Sequence, residues 1–366
     1  MRRRLVGRAS AIVAGVALLA ASPALLTALP VPEPHVGAGA LLQRVLDSQD
    51  VSYSGLAVSR AGLKLPDVRG AGRLAALFGE STRMRVWYES PVRWRVDELT
   101  PVGERDVYLD SAGTLFWDSG SRIATRILGK GEVRFARPAD LLPSELGRRL
   151  ATASSSAKVA SLPAERIAGV TAAGVRVSPV ETATTLSHAD LWADPVTGLV
   201  LRVELTARGF DEPIISASFL ELEQRPPPAG LTHFDIPADA AFQISEAPDF
   251  ARAVNRYSPF VLPDSVAGYT LRSQPARAAG TYGKSFELVA VLAVPLRFFP
   301  AERLEGLPEV SGPWGSGRLA RSPLLNALTI VDVGREIAYV LGGTVKPSRL
   351  IEVASSLYRQ GVGLSG

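Results

Sequence analysis

Residues 83–117, RMRVWYESPVRWRVDELTPVGERDVYLDSAGTLFW, contain four short runs, at 83–88, 92–99, 105–110 and 114–117, separated by turn-forming Pro, Gly and Ser residues. Apolar and polar residues alternate within the runs: Trp94 and Val96, for example, are interleaved with Arg93 and Arg95. A period of two is typical of an antiparallel sheet with one apolar and one wetter face. The stretch therefore predicts a β-meander.

The sequence on either side continues the strand pattern. Further strands are predicted at 53–60, 122–128, 166–179, 186–193, 200–208 and 214–223, and the turn at 194–198 joins two of them as a hairpin. A short amphipathic helix with its apolar residues at 41–46 precedes the strands, and a second helix is predicted at 138–151. These elements indicate a β-rich α+β domain over residues 38–245.

A second, smaller unit begins near Tyr257. Strands are predicted at 268–273, 286–295, 327–333 and 336–341, together with a short helix at 301–307 and a Gly-rich loop at 311–317. A last helix follows Pro347, which stands at a favourable first-turn position. We expect a smaller α+β C-terminal domain over residues 256–360.

The first thirty residues have the character of an export signal. Arginines at positions 2, 3, 4 and 8 are followed by an apolar run that extends to residue 29, and no acidic residue occurs among them. The run is long for a cleaved signal and just long enough to span a bilayer. Residues 1–30 are therefore predicted to be a signal peptide or an uncleaved anchor. The mature chain is expected in the periplasmic or cell-envelope space, either secreted or anchored.

Composition excludes several classes of function. The formal net charge of +4 comes from the four arginines of the leader, and the remainder carries 36 basic and 36 acidic residues. A balanced surface gives no general electrostatic reason to bind phosphate backbones, so nucleic acid is not an expected partner. The chain has no cysteine, which excludes disulfides, thiolate catalysis, Cys-ligated zinc and a lipobox anchor.

No catalytic, metal or cofactor motif stands out. The three histidines, His35, His188 and His233, lack metal-ligand spacing. His188 and Asp190 could be interpreted as a catalytic pair, but no serine in a nucleophile-elbow context accompanies them. We therefore expect no enzyme, no cofactor and no metal site.

Several stretches form a recognisable series along the chain. The first predicted domain contains Tyr53-Ser54-Gly55, the segments 84–88 and 92–96, and the hairpin LWADPVTGL at 191–199. The segments LPDSVAGY at 262–269 and IAYVLGGTV at 337–345 stand near the start and the end of the second. In this order they resemble the LolA-like fold and its two-domain relatives, the RseB/MucB envelope-stress regulators. The Arg- and Ala-rich, Lys-poor composition and the long leader suggest an actinobacterial-style member.

The resemblance implies a half-open antiparallel β-barrel with covering helices and an apolar concavity that could hold an acyl chain. It also implies that the two domains bind the external part of an anti-sigma factor or a similar single-pass membrane protein, with lipid as a ligand that relieves the binding. The alternative is a lipid or lipoprotein carrier. An exported hydrolase ranks third, because the polar constellation that it needs was not found.

The apolar strand faces are the candidates for a lipid-binding cavity. The predicted lining residues are Val86, Trp94, Val96, Leu109, Leu115 and Trp117. Barrel mouths are common ligand sites, whereas the competing interpretation is plain core packing against the covering helix.

Overall fold

The computed structural model describes residues 31–63, 81–128, 136–246, 260–299 and 304–362. The predicted leader, residues 64–80 and residues 301–303 of the predicted short helix lie outside these ranges. Within the described part of the chain, no helix is both long enough and apolar enough to cross a membrane.

Twelve strands form the larger sheet. They are β1 (Tyr53–Ala61), β2 (Ser81–Ser90), β3 (Arg93–Thr100), β4 (Gly103–Asp110), β5 (Gly113–Asp118), β6 (Ile123–Leu128), β7 (Lys158–Ile167), β8 (Val170–Ser178), β9 (Leu186–Ala193), β10 (Val200–Ala207), β11 (Ile215–Glu223) and β12 (Ala241–Glu246). Their order is β12-β6-β5-β4-β3-β2-β1-β11-β10-β9-β8-β7. All neighbours are antiparallel except β12 and β6, and the sheet is open, with β12 and β7 as its two end strands.

The meander from β2 to β5 forms as predicted, with tight turns between the strands. Val86 stands opposite Val96, and Trp94 stands opposite Leu109. Gly113 begins β5 with φ 115°, a backbone angle that a side chain rarely tolerates. The period of two is therefore realised as one face of apolar side chains and one face rich in charge.

Two helices cover the apolar face, which we call the inner face. They are α1 (Ala38–Asp47) and α2 (Pro143–Ala153). The single helix predicted at 138–151 is divided into a 3₁₀ turn, Pro138–Leu141, and α2. Leu142 between them is extended (φ −60°, ψ 139°), because the ring of a following proline disfavours helical backbone at the residue before it.

The prediction of a single strand at 166–179 was wrong, because this part of the chain contains two strands. The chain forms the hairpin β7–β8, which turns at Ala168 (φ 47°) and Gly169 (φ 84°). Two successive positive φ angles are typical of a type I′ turn, whose twist suits a hairpin. Ala at the first turn position gives no sequence signal for it.

Eight antiparallel strands form the second sheet. They are β13 (Ser265–Val266), β14 (Tyr269–Ala276), β15 (Ala279–Lys284), β16 (Glu287–Pro295), β17 (Glu309–Gly312), β18 (Gly315–Arg321), β19 (Asn326–Asp332) and β20 (Ile337–Gly343). The order is β13-β14-β15-β16-β20-β19-β18-β17, and α3 (Pro347–Arg359) buries Leu350, Val353 and Leu357 against it. The Gly-rich segment predicted as a loop at 311–317 forms the adjoining strand ends and the two-residue turn of hairpin β17–β18.

The two sheets are also joined by contacts outside the covalent connection at 247–264. Ala183–Thr185 pairs with the stretch after β20: the Thr185 amide donates to the Thr344 carbonyl at 2.9 Å, and the Lys346 amide donates to the Ala183 carbonyl at 2.8 Å. Phe286 and Leu324, from the second half of the chain, are buried in the inner core of the first sheet. Both hydrogen bonds and apolar packing therefore join the two units.

Candidate functional site

Four of the six predicted cavity-lining residues lie together on the inner face. Val86, Trp94 and Val96 are buried in one hydrophobic core, and Leu109 packs against it. Leu141 and Leu142, next to α2, belong to the same core. The Arg137 guanidinium lies 4.9 Å from the Trp94 ring centroid. These side chains pack together beneath the 3₁₀ turn at Pro138–Leu141 and the start of α2. Such packing agrees with the competing interpretation, in which the apolar strand face is core and not a ligand cavity.

The grouping of Leu115 and Trp117 with those four was wrong. The register of β4 and β5 pairs Leu115 with Tyr108 and Trp117 with Asp106, which places both on the opposite face of the sheet, the outer face. They form a separate small core with Tyr108 and Ala124. Because β5 is apolar at Leu115, Phe116 and Trp117 in succession, alternation alone could not show which face each residue takes.

An arginine between two aromatic rings organises the outer face. The Arg95 guanidinium lies 4.7 Å from the Trp87 ring centroid and 4.9 Å from that of Tyr108. It donates to both oxygens of Asp97, at 2.6 and 2.7 Å, and to Asp106 Oδ2 at 3.2 Å. Bidentate arginine–carboxylate pairs of this kind are strong and directional.

Asp106 is only partly satisfied by this arrangement. Its side chain is 5% exposed, and Oδ1 has no hydrogen-bond partner. Asp97 stands directly opposite it on β3. Burial raises the pKa of Asp106 to about 7, and the adjacent Asp97 carboxylate adds to the rise. Glu104, two residues earlier on the same face of β4, completes a group of three acids whose ligand oxygens lie within 4.8 Å of one another.

Residues 228–240, which we call the strap, cross the outer face from β11 towards β12. Phe234 packs on Tyr108 and Trp117, with ring centroids 5.1 and 5.3 Å apart. Beside the strap lies a groove of about 530 Å³, with a charged lining. The groove residues are Arg93, Asp110, Ser111, Ala112, Arg126, Ala229, Thr232 and His233. This groove is on the face opposite the predicted lipid cavity.

The end strand β12 leaves one edge of the large sheet without a strand partner in the described chain. On its outer face Phe242 is 42% exposed and Ile244 is 63% exposed, and Leu128 of neighbouring β6 is 43% exposed. The Ala241 amide donates to the Arg122 carbonyl, towards β6. Successive residues of a strand point their backbone groups to alternate edges, so the amides of Phe242 and Ile244 point to the free edge.

Strand β12 is not among the strands predicted from the sequence. The alternation of Phe242 and Ile244 with Gln243 and Ser245 was the available signal. The strand has only six residues and pairs in parallel with β6, which is distant in sequence, so no further sequence signal marks it.

The Asp190 side chain is 8% exposed and is paired with Arg176, not with His188. Arg176 donates to both oxygens of Asp190, at 2.7 and 2.6 Å, while His188 Nε2 lies 3.9 Å from the nearer oxygen. The carboxylate is thus oriented by the arginine and not by the imidazole. Desolvation lowers the pKa of His188, and the Arg176 charge lowers it further.

No family model matches the chain, and no curated protein matches it. Among solved structures, MucB in complex with MucA(peri) has a TM-score of 0.49 at 16% identity, over 87% of this chain and 97% of that one. The Pseudomonas aeruginosa MucA/MucB complex has a TM-score of 0.49 at 16% identity, over 86% and 96%. A LolA superfamily protein from Nitrosomonas europaea has a TM-score of 0.25 at 11% identity, over 55% and 99%. Below a TM-score of 0.5, such likenesses do not by themselves assign a partner or ligand to this chain.

Proposed function

We propose that this chain is a non-enzymatic extracytoplasmic binding protein that acts as an RseB-like regulator and binds the external segment of an anti-sigma factor or similar single-pass membrane protein. The free edge of β12 carries the proposal. The partner class is the one that the sequence resemblance implies, and MucA, which is bound to MucB in the complexes above, is a protein of the kind to be sought.

The edge has the two features that an extended guest needs. Phe242 and Ile244 direct their backbone amides outward, so that a guest strand could complete the hydrogen bonds that the end of the sheet leaves open. Their side chains, with Leu128, form an exposed apolar row on the outer face. Proteins normally protect such an edge with lysine, proline or a bulge, and none of these stands within AFQIS at 241–245.

The proposed guest is therefore an extended segment with apolar side chains at alternate positions. A strand that pairs with β12 would place every second side chain next to Phe242 and Ile244, and Leu128 of β6 continues this apolar surface on the far side of β12. The external part of a single-pass protein offers such a segment close to the membrane. Export through the predicted leader, residues 1–30, would bring the two together, and an actinobacterial-style envelope is the setting that the composition suggests.

We also propose the domain division 38–245 and 256–360, with the guest held by the first domain. The contacts of Thr185 with Thr344 support a fixed arrangement of the two, because they join the units outside the covalent connection. The lipid or lipoprotein carrier has less support. Val86, Trp94 and Val96, which were to line its cavity, are packed within a core.

Site-specific photo-cross-linking tests the proposal. Ile244 is replaced by p-benzoylphenylalanine in the full chain, which is then irradiated with envelope membranes of the organism that encodes it. We expect cross-linking to one single-pass membrane protein through its external segment. Val196, which is 82% exposed in the β9–β10 turn, provides the control position and should yield no such adduct.

Binding of the recovered external segment, produced as a peptide, then provides the quantitative test. Ile244→Asp should weaken it at least tenfold, because it places a charge in the apolar row. Val196→Asp should leave it unchanged. Recovery of the same proteins from both positions, or unaltered binding by the Ile244 variant, would refute the proposed docking edge. Lipid that co-purifies in stoichiometric amount, seen by native mass spectrometry, would favour the carrier instead.

A further inference from the structure

We infer that Asp97, Glu104 and Asp106 form a binding site for a hard divalent cation of the Ca²⁺ type on the outer face of the large sheet. The inference is independent of the proposed partner. It stands on the position of the three acids, on an unsatisfied oxygen among them and on the balance of charge around them.

The sheet register brings the acids together from two strands. Asp97 on β3 and Asp106 on β4 are direct cross-strand partners, and Glu104 lies two residues before Asp106 on the same face. One oxygen from each carboxylate lies within 4.8 Å of the others, which is the spread that ligands of one ion have. Asp97 and Asp106 are buried, and Glu104 is half-buried, so the group opens to solvent on the Glu104 side.

Asp106 Oδ1 is the observation that points to a ligand. The oxygen is buried without any hydrogen-bond donor, although its residue is only 4% exposed. A bare carboxylate oxygen in such a place is costly unless something positive meets it. When both carboxyl groups are ionised, Asp97 has no proton to donate to this oxygen, and both of its own oxygens are bound by Arg95.

The charges nearby leave the group negative. The three carboxylates lie beside the guanidinium of Arg95. This group donates two hydrogen bonds to Asp97 and one to Asp106. Arg85, the cross-strand partner of Asp97, adds a second positive charge beside the cluster, and its guanidinium lies 6.0 Å from the Trp87 ring centroid. Oxygen donors alone select hard cations such as Ca²⁺, Mg²⁺ or Mn²⁺ over zinc or copper. With Arg95 in place we expect weak affinity, with a dissociation constant of about 0.1–1 mM, as in extracellular modules.

Terbium luminescence gives a direct readout, since Tb³⁺ replaces Ca²⁺ at oxygen sites and an adjacent indole excites it. Trp117 is the cross-strand partner of Asp106 and provides that indole. Tb³⁺ is titrated into the full chain at pH 8 with excitation of tryptophan. We expect saturable emission that excess Ca²⁺ displaces.

Two variants and a control test the assignment of the ligands. Asp106→Asn and the less buried Glu104→Gln should each weaken Tb³⁺ binding at least tenfold, and circular dichroism should show that both variants are folded. Asp235→Asn changes an acid whose side chain is 96% exposed and should bind as the wild type does. Absence of saturable emission would show that the three acids do not bind the metal ion. Equal emission from the wild type and all three variants would show that the ion binds elsewhere. Either result overturns the inference.

Discussion

The Thr184 hydroxyl donates a hydrogen bond of 3.0 Å to the Phe286 carbonyl and so ties the first unit of the chain to the second. The same hydroxyl is 3.0 Å from the Thr344 carbonyl and accepts from the Leu186 amide at 3.2 Å. Thr184 is fully buried. One side chain therefore fixes the end of β9 against the strand ends of the second sheet.

Thr184→Val should weaken this joint. Valine has nearly the same shape but leaves the buried Leu186 amide without its acceptor, so we expect a loss of about 1–3 kcal/mol in the free energy of unfolding. Urea denaturation followed by tryptophan fluorescence measures it. Thr171→Val, at a half-buried position in β8, is the control and should change stability by much less. Equal losses would mean that the joint contributes nothing particular.

Two glycines with positive φ should respond very differently to alanine. Gly198 (φ 73°) ends the β9–β10 turn, and a Cβ there would overlap the Arg44 backbone carbonyl of α1. Gly209 (φ 83°) has open space around it. Gly209→Ala should cost about 1–2 kcal/mol, the strain of left-handed backbone alone. Gly198→Ala should cost clearly more in thermal unfolding, and similar costs would contradict the close approach of α1 to the turn.

Neighbouring residues of β5 should differ because they face opposite ways. Leu115 is fully buried beneath the strap, whereas Phe116 is 38% exposed on the inner face. Leu115→Ala should destabilise the fold by about 2–5 kcal/mol, as buried leucines usually do. Phe116→Ala should cost less than half of that. The reverse order in chemical denaturation would show that the register of β5 is shifted by one residue.

Asp106 should make a contribution to the stability of the protein in chelating buffer that falls as the pH rises from about 4 to about 7. Burial, helped by Asp97, raises the pKa of Asp106 from 3.8 to about 7. The folded chain therefore retains a proton that the unfolded chain has lost within this window, so unfolding releases it and rising pH favours the unfolded state. Below and above the window both states carry the same charge at Asp106, and its effect is constant.

Asp106→Asn checks the origin of that pH dependence. An amide does not titrate. The slope of the free energy of unfolding against pH should therefore become less negative in this window, by the amount that corresponds to about one bound proton. Thr171→Val changes no titratable group and should keep the wild-type slope. A wild-type slope in the Asp106 variant would assign the dependence to another group.

The fold was predictable where local pattern and tertiary contact agree. The meander around Trp94 alternates cleanly, and its turns are marked by Pro, Gly and Ser, so its strands were placed to within about two residues. The β7–β8 turn at Ala168 carries no such mark. Leu142 shows the same limit in a helix, since the apolar spacing continues through a residue that the following proline forces out of helical backbone.

The site was less predictable because it depends on register between strands. Nothing in the sequence pairs Asp97 with Asp106, and the expectation of no metal site rested on histidine spacing and the absence of cysteine. Leu115 and Trp117 were assigned to the wrong face because three successive apolar residues satisfy either register. Strand β12 joins the sheet in parallel with β6, which lies more than a hundred residues away in sequence.

Residue-resolved amide hydrogen exchange of β12 gives the sharpest test of the proposed docking edge. The full chain is compared with and without the external segment recovered by cross-linking from position 244. Binding should slow exchange at the amides of Phe242 and Ile244, which point to the free edge, and change that of Gln243 little, since its amide points to β6. Tight binding with unchanged exchange at Phe242 and Ile244 would contradict it.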